Sequence, residues 1–495
     1  MIFSRQNVVR LLNSSYLRIT LSRVTTSFFL LSFIFFIAQV LIQAFLWTDD
    51  NSAFKNINAM VENGGAPSSL LPWLDIKKEH FNLRICSEAP YGAKNVSQVC
   101  PTVFDTNDAP NSSWVPPPVL RSNGTLISGP EQVKLANGSD VSLSEQCLYT
   151  LMYPTKRLRT SMNEELALLF SQFWLLGLSS AAVLSRSVSH IIAVFAMRVL
   201  STGWSAYTIW RTKDLDNRLF HLIVNEGRTP CHSDFGIFPN YIKMRIALQI
   251  PDLILNVCAL LFTGLLGYRL IKTFSENVFN CVGPPAKIGR LYRYMLTVVV
   301  SGQLLIYLLI ASISLVLIEG IISKAKLLAM DITLFVLTVI LTVIMVTLGY
   351  HSTRYERKRL MIAFLILLAC LIIGFLAMFT LPAFQFTWIQ WPFFACISGV
   401  NAAVLICSAT FAALCRIHFG EGLKHYLHVE NVLSKADFQP DEFSTGQEAK
   451  LTSASRVSFF VQEAMPTEPV ITRNTNWDFE DQTRPPIYTV EARGE

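Results

Sequence analysis

The sequence predicts an all-α polytopic membrane protein: about eight transmembrane helices with a small loop-rich glycosylated extracellular domain. Three observations predict it. The 495 residues are 52% apolar and only 15% charged, against about 25% charged in ordinary globular domains, and the mean hydropathy is +0.40. Eight stretches are apolar over roughly the 20 residues that a helix needs to cross about 30 Å of hydrocarbon at about 1.5 Å per residue. Four glycosylation sequons crowd the polar segment between the first two of those stretches. The net charge of +6 is modest, and the basic residues stand beside apolar runs instead of forming a stripe, which excludes nucleic acid as a partner.

The predicted spans run from Phe28 to Trp47, Leu166 to Leu184, Val188 to Trp210, Ala247 to Tyr268, Met295 to Ile318, Leu328 to Tyr350, Leu360 to Thr380 and Pro392 to Cys415. The second is the least apolar, with Ser171, Gln172, Ser179 and Ser180, and only Ser185, Arg186 and Ser187 separate it from the third. The first is too long for a signal peptide's apolar core and lacks a small-residue cleavage site, so it reads as a signal anchor. This divides the chain into a basic cytosolic N-terminus (1–27), the signal anchor (28–47), an extracellular domain (48–163), a seven-helix transmembrane bundle (164–415) and a disordered cytosolic tail (416–495).

Sidedness follows from charge. Arg5, Arg10, Arg18 and Arg23 precede the first span without an acidic residue, which favours a cytosolic N-terminus. Eight crossings then place Arg354, Arg357, Lys358 and Arg359, and the loop with Lys272, Lys287, Arg290 and Arg293, in the cytosol as well. Lys156, Arg157, Arg159, Arg211, Lys213, Arg218 and Arg228 fall outside and depart from the rule. The sequons at Asn95, Asn111, Asn123 and Asn137 all lie in the segment that the count puts outside.

Cysteine placement agrees. Cys86, Cys100, Cys147 and Cys231 form an even set in the outer parts, where disulfides persist, and the sequence allows three pairings. A bridge from Cys231 to the large segment would tie the outer parts together. Around Asn137 the piece "QVKLANGSDVSL" reads as two strands joined at an Asn-Gly turn, whereas "WVPPPV" promises extended chain and turns. Cys415 ends the last span in a position suited to palmitoylation.

Inside the spans the costly residues are Arg198 and Asp252, each at about 2.5 to 3.5 kcal/mol on insertion scales if left alone. Spans three and four are antiparallel neighbours, so an Arg198–Asp252 ion pair is expected, acting as a structural lock or a polar relay. Trp47, Trp210, Trp388 and Trp391 fall at outer span ends, as interfacial anchors do.

In the tail, "PPIY" places Pro485, Pro486 and Tyr488 in the pattern of a PPxY ligand for WW domains, whose aromatic grooves receive a preformed polyproline II segment. The expected partners are therefore the lipid bilayer, a WW-domain HECT-type ubiquitin ligase or its adaptors, and an extracellular ligand of unknown chemistry. No catalytic, cofactor or metal-ligand motif stands out, so no enzyme activity and no cofactor are expected. A plasma-membrane receptor, sensor or scaffold is the first functional expectation. A transporter or channel using Arg198, Asp252, Gln303 and Asp331 is the second.

The segment "STGWSAYTIWRT" in span three, together with the signal anchor, glycosylated loop and long tail, resembles uncharacterised multi-spanning plasma-membrane proteins of basidiomycete fungi, including virulence-associated ones of smut fungi. That resemblance implies a surface protein of growing hyphal tips that acts in host colonisation and is turned over through endosomes and vacuole. It implies no site residues.

Overall fold

Among the described residues of this computed structural model, eight helices are long and apolar enough to cross a membrane. The structure describes residues 19–20, 22–66, 70–77, 80–90, 96–107, 117, 131–134, 140–224, 229–231, 237–279, 286–322 and 328–420. The sequon asparagines Asn95, Asn111, Asn123 and Asn137, and Pro485, Pro486 and Tyr488, lie outside the described residues. So does the whole of a separate unit from Phe438 to Glu495.

Helix α1 spans Arg23–Asn63. Then come β1 (Leu71–Lys77), β2 (His80–Cys86), the short α2 (Val96–Val99), β3 (Thr102–Asp105), β4 (Glu131–Lys134) and β5 (Asp140–Leu143). The remaining helices are α3 (Glu145–Ser185), α4 (Val188–Leu219), α5 (Ile237–Phe279), α6 (Ala286–Ile322), α7 (Leu328–Arg354), α8 (Lys358–Met378), the short α9 (Pro382–Gln390) and α10 (Pro392–Ile417). A π-helical turn, Phe220–Val224, ends α4.

Helix α1 shows why four of these helices assemble. Its buried residues recur at steps of three and four, alternating except for two successive fours at Phe35–Gln39–Gln43: Phe28, Ser32, Phe35, Gln39, Gln43, Leu46, Asp50, Ala53, Ile57 and Met60. That is a heptad seam, which calls for partner helices along its whole length. The partners are α3 and α5, and α4 closes the ring between them. Helices α6, α7, α8 and α10 pack as a second group, joined to the first chiefly through α4 and α6.

Two 41-residue helices, α1 and α3, are each about 60 Å long at about 1.5 Å per residue, twice the hydrocarbon thickness. The surplus builds the head. Ile57, Met60 and Val61 of α1, Leu148, Leu151 and Tyr153 of α3, and Leu222, Ile223, Tyr241 and Ile242 pack with Leu74, Leu83, Ile85 and Phe104 of the sheet in one buried cluster. The predicted loop-rich domain at 48–163 is therefore partly helical: its first and last stretches continue the helices of the flanking spans, and the helix that carries the second span begins at Glu145. A residue beyond the hydrocarbon layer stays helical wherever its face still finds apolar partners.

The sheet is antiparallel in the order β1-β2-β3, with Leu74 opposite Leu83 and Leu83 opposite Phe104. The strand pair expected around Asn137 is β4–β5, with Glu131 opposite Leu143. The structure selects one of the three disulfide pairings. Cys86–Cys100 closes the sheet, and Cys147–Cys231 fastens the start of α3 to the α4–α5 connection. Ser144 caps α3, accepting from the Cys147 amide at 3.1 Å and donating to the Pro230 carbonyl at 3.1 Å, which holds the two cysteines in register.

Contacts at both ends keep the crossings in order. Arg157 of α3 donates to the Gln390 carbonyl at 2.7 Å, so the α9–α10 junction stands on the head side. Phe28, Ala182, Val183, Ile191 and Leu270 cluster at the other end of the first bundle. Arg416 donates to the Lys358 carbonyl at 2.9 Å, bringing the end of α10 to the start of α8. The turn between α3 and α4 passes through Arg186 at φ 51°, and the turn between α7 and α8 through Glu356 at φ 50°.

Two side-chain expectations are corrected. Trp391 is no interfacial anchor, since it is buried and its indole is engaged by a carboxylate. Cys415 is buried among Leu291, Met361 and Ala412, out of reach of an acyl donor.

Candidate functional site

Each helix of the first bundle carries polar residues on the face that its apolar heptads bury. On α5, Tyr241, Arg245, Gln249, Asp252 and Asn256 follow one stripe at helical spacing, and all five are buried. On α1 the stripe holds Gln39, Gln43 and Asp50. Helix α3 supplies Glu164, Glu165 and Gln172, and α4 supplies Arg198, Ser205 and Thr208. Four helices in a ring bring these stripes to a common axis, where they form two layers.

The layer nearer the head is charged. Arg245, 2% exposed, pairs with Asp50 and reaches Glu165 at 2.9 Å. Tyr241 donates to Asp50 at 2.7 Å. Beside it Arg211 grips Glu164 with both guanidinium nitrogens, at 2.8 and 2.5 Å, and the Trp391 indole donates to the same carboxylate at 2.8 Å. Arg218 pairs with Asp214 and, like Arg157, donates to the Tyr153 hydroxyl. Such pairs are costly to bury, and their geometry must return the lost hydration through several hydrogen bonds per charge. The layer meets that condition for Arg211 and Arg245, two of the basic residues on the head side.

The deeper layer is mostly uncharged polar. Arg198 donates to the side-chain carbonyls of Gln39 at 2.5 Å and Gln172 at 3.4 Å. Gln39 donates to the Asn256 side-chain carbonyl at 2.6 Å, and Asn256 donates to Asp252 at 3.0 Å. Asp252 also accepts from Ser205 at 2.6 Å and from Gln43 at 3.3 Å. The predicted Arg198–Asp252 ion pair is thus not formed. The two residues occupy one network, but Gln39 and Asn256 stand between them as a relay. An amide can donate with one end and accept with the other, so two of them satisfy a cation and an anion that do not touch.

Of the residues considered for a channel path, Gln303 is buried on α6, outside this four-helix ring, and the Asp331 side chain lies outside the described residues. Among the described residues no group of three or more His, Cys, Asp or Glu is placed to hold a metal ion. The members that the sequence left unread are Gln39, Gln43, Asp50, Glu164, Glu165, Arg245 and Gln249. Their signal was the heptad spacing of polar residues inside and just beyond apolar runs.

A cleft open to solvent lies on the head side of the charged layer, lined by Arg157, Thr160, Glu164, Trp210, Arg211 and Arg218 among others. A narrower pocket lies below that layer, lined by Gln43, Glu165, Ser205, Gln249, Asp252 and Asn256 among others. The Arg245–Glu165 pair is shared between their linings. No family model, no curated protein and no solved structure matches the chain.

Proposed function

We propose that the chain is a multi-pass plasma-membrane receptor or sensor, or a scaffold of the same topology, with the head outside and both chain ends in the cytosol. The observation that carries this reading is the continuity of α1 and α3 from membrane depth into the head core, with Cys147–Cys231 fastening them to the α4–α5 connection. A ligand or a strain acting on such a head displaces whole helices, because packed interiors transmit displacement with little compression.

The proposed sidedness draws on three supports. Cys86, Cys100 and Cys147 of the two disulfides fall in the same stretch of sequence as the four sequons, and oxidising compartments are where such bridges persist. Arg211, Arg218 and Arg245 are neutralised by carboxylates, so they weigh less against the positive-inside count than their number implies. The exposed Arg354 and Lys358 turn falls on the opposite face. The tail would then present Pro485, Pro486 and Tyr488 to WW-domain ubiquitin ligases that control trafficking. The resemblance to fungal surface proteins would set this at hyphal tips during host colonisation.

A transporter is the second reading, favoured by the Arg198–Gln39–Asn256–Asp252 chain inside the membrane. Against it, α1, α3 and α4 run unbroken past that depth and α5 stays helical through Pro251 beside Asp252, whereas transporter sites are built at interrupted helices. Purified full-length protein in proteoliposomes separates the two. A receptor passes no current and no net flux of sodium, protons or amino acids above empty vesicles, and flux that disappears in Asp252→Asn would replace this reading with transport.

A further inference from the structure

The pocket beneath the charged layer holds side chains whose polar atoms are not satisfied. Gln249 is 3% exposed, yet neither its carbonyl oxygen nor its amide nitrogen has a partner. The Gln43 carbonyl oxygen and one oxygen of Glu165 are also buried without partners. All three residues line the pocket together with Ser205, Asp252 and Asn256. Polar atoms this deep normally have partners, because unpaired burial forfeits hydration with nothing in return.

Charge points the same way. The two layers bury four carboxylates, those of Asp50, Glu164, Glu165 and Asp252. Three guanidiniums answer them: Arg245 takes Asp50 and Glu165, Arg211 takes Glu164, and Arg198 is bonded to two glutamines. Asp252 is the one of the four with no guanidinium partner: its donors, Ser205, Gln43 and Asn256, are all neutral. A carboxylate in an apolar interior stays ionised only beside a counter-charge, and otherwise takes up a proton.

We propose that this pocket binds a sodium ion, held by Asp252 with the side-chain oxygens of Gln43 and Gln249 beside it. The donors are all oxygens, with neither thiolate nor imidazole, which suits a hard cation and excludes the softer transition metals. A monovalent ion balances the single Asp252 carboxylate, whereas a divalent one would leave a new positive charge in the same low-dielectric space. Sodium binding here is independent of whether the chain signals or transports.

The test is thermal unfolding of the full-length protein in detergent, with sodium, potassium or choline chloride at one ionic strength, alongside binding of radiolabelled sodium. Sodium should raise the unfolding temperature of the wild type saturably. At 100 times its dissociation constant it multiplies the folded-to-unfolded ratio about a hundredfold. Asp252→Asn should abolish both the rise and the bound label. Gln249→Met, close in volume, should keep the fold and weaken the sodium response about tenfold or more, and it decides the matter if Asp252→Asn does not fold. Identical unfolding in all three salts overturns the proposal, as does an equal response to potassium. A sodium effect that survives Asp252→Asn, or stability that follows pH and ignores sodium, overturns it too; the last assigns the missing charge to a proton.

Discussion

Arg245 of α5 donates to Glu165 of α3 at 2.9 Å, joining residues 80 positions apart in a layer where neither side chain is more than 4% exposed. With Asp50 as the second partner, this pair bolts three helices of the bundle at the level where membrane gives way to head. Removing the cation leaves two buried carboxylates facing each other. Arg245→Met should therefore cost about 3 to 5 kcal/mol, seen as a fall in unfolding temperature and in monodisperse yield. The triple replacement Asp50→Asn, Glu165→Gln, Arg245→Met should recover most of that loss. A single Arg245→Met protein as stable as wild type would mean that the layer does not hold the helices.

Arg198 and Asp252 make the contrasting case, being linked only through Gln39 and Asn256. Residues in direct contact show coupling of about 0.5 to 3 kcal/mol in double-mutant cycles. The Arg198–Gln39 cycle, with Arg198→Met and Gln39→Leu, should fall in that range. The Arg198–Asp252 cycle, with Arg198→Met and Asp252→Asn, should be weaker. The reverse order would restore the direct ion pair.

Trp391 should behave as a hydrogen-bond donor to Glu164 and not as a lipid anchor. Hydrogen bonds to charged groups contribute about 1.5 to 3 kcal/mol, so Trp391→Phe should lower stability by that order while Trp210→Phe, at a 61% exposed position, changes little. Unfolding temperatures of the two variants in the same detergent make the comparison.

Peptide mapping of the unreduced protein should recover Cys86 with Cys100 and Cys147 with Cys231. The second bridge spans 84 residues against 14 for the first. On loop-closure entropy it contributes the more, between about 3 and 5 kcal/mol. The Cys147→Ser, Cys231→Ser pair should lose more stability than the Cys86→Ser, Cys100→Ser pair. Any other pairing in the map contradicts the head's construction.

For the tail, a fragment carrying "PPIY" should capture WW domains, and Tyr488→Ala should abolish capture by removing the ring that the aromatic groove holds. Equal capture by both would remove the ubiquitin-ligase partner from the proposal.

The eight spans were legible because twenty apolar residues have few other fates in a folded chain. The charged layer was hidden by the same rule. Asp50 falls three residues after the predicted end of the first span at Trp47, Glu164 and Glu165 just before the predicted start of the second at Leu166, and Arg245 two before that of the fourth at Ala247. A window matched to the hydrocarbon thickness cuts these helices at the point where their polar stripes begin to matter. Continuity was readable instead from the heptad running through Gln39, Gln43, Leu46, Asp50, Ala53 and Ile57 without a break. The Arg198–Asp252 expectation found the right neighbouring helices and the wrong partners, because it weighed charge and passed over glutamine. The choice among three disulfide pairings needed the placement of Ser144 against Pro230, a contact between segments 86 residues apart.

The most direct measurement concerns sidedness, since a sensing head and a regulated tail require opposite faces of one membrane. Cells expressing the full chain with tags at both ends should give a glycosidase-sensitive protein, with both tags reached by antibody only after permeabilisation. A C-terminal tag labelled on intact cells, or a protein whose mobility no glycosidase alters, would contradict the proposed topology.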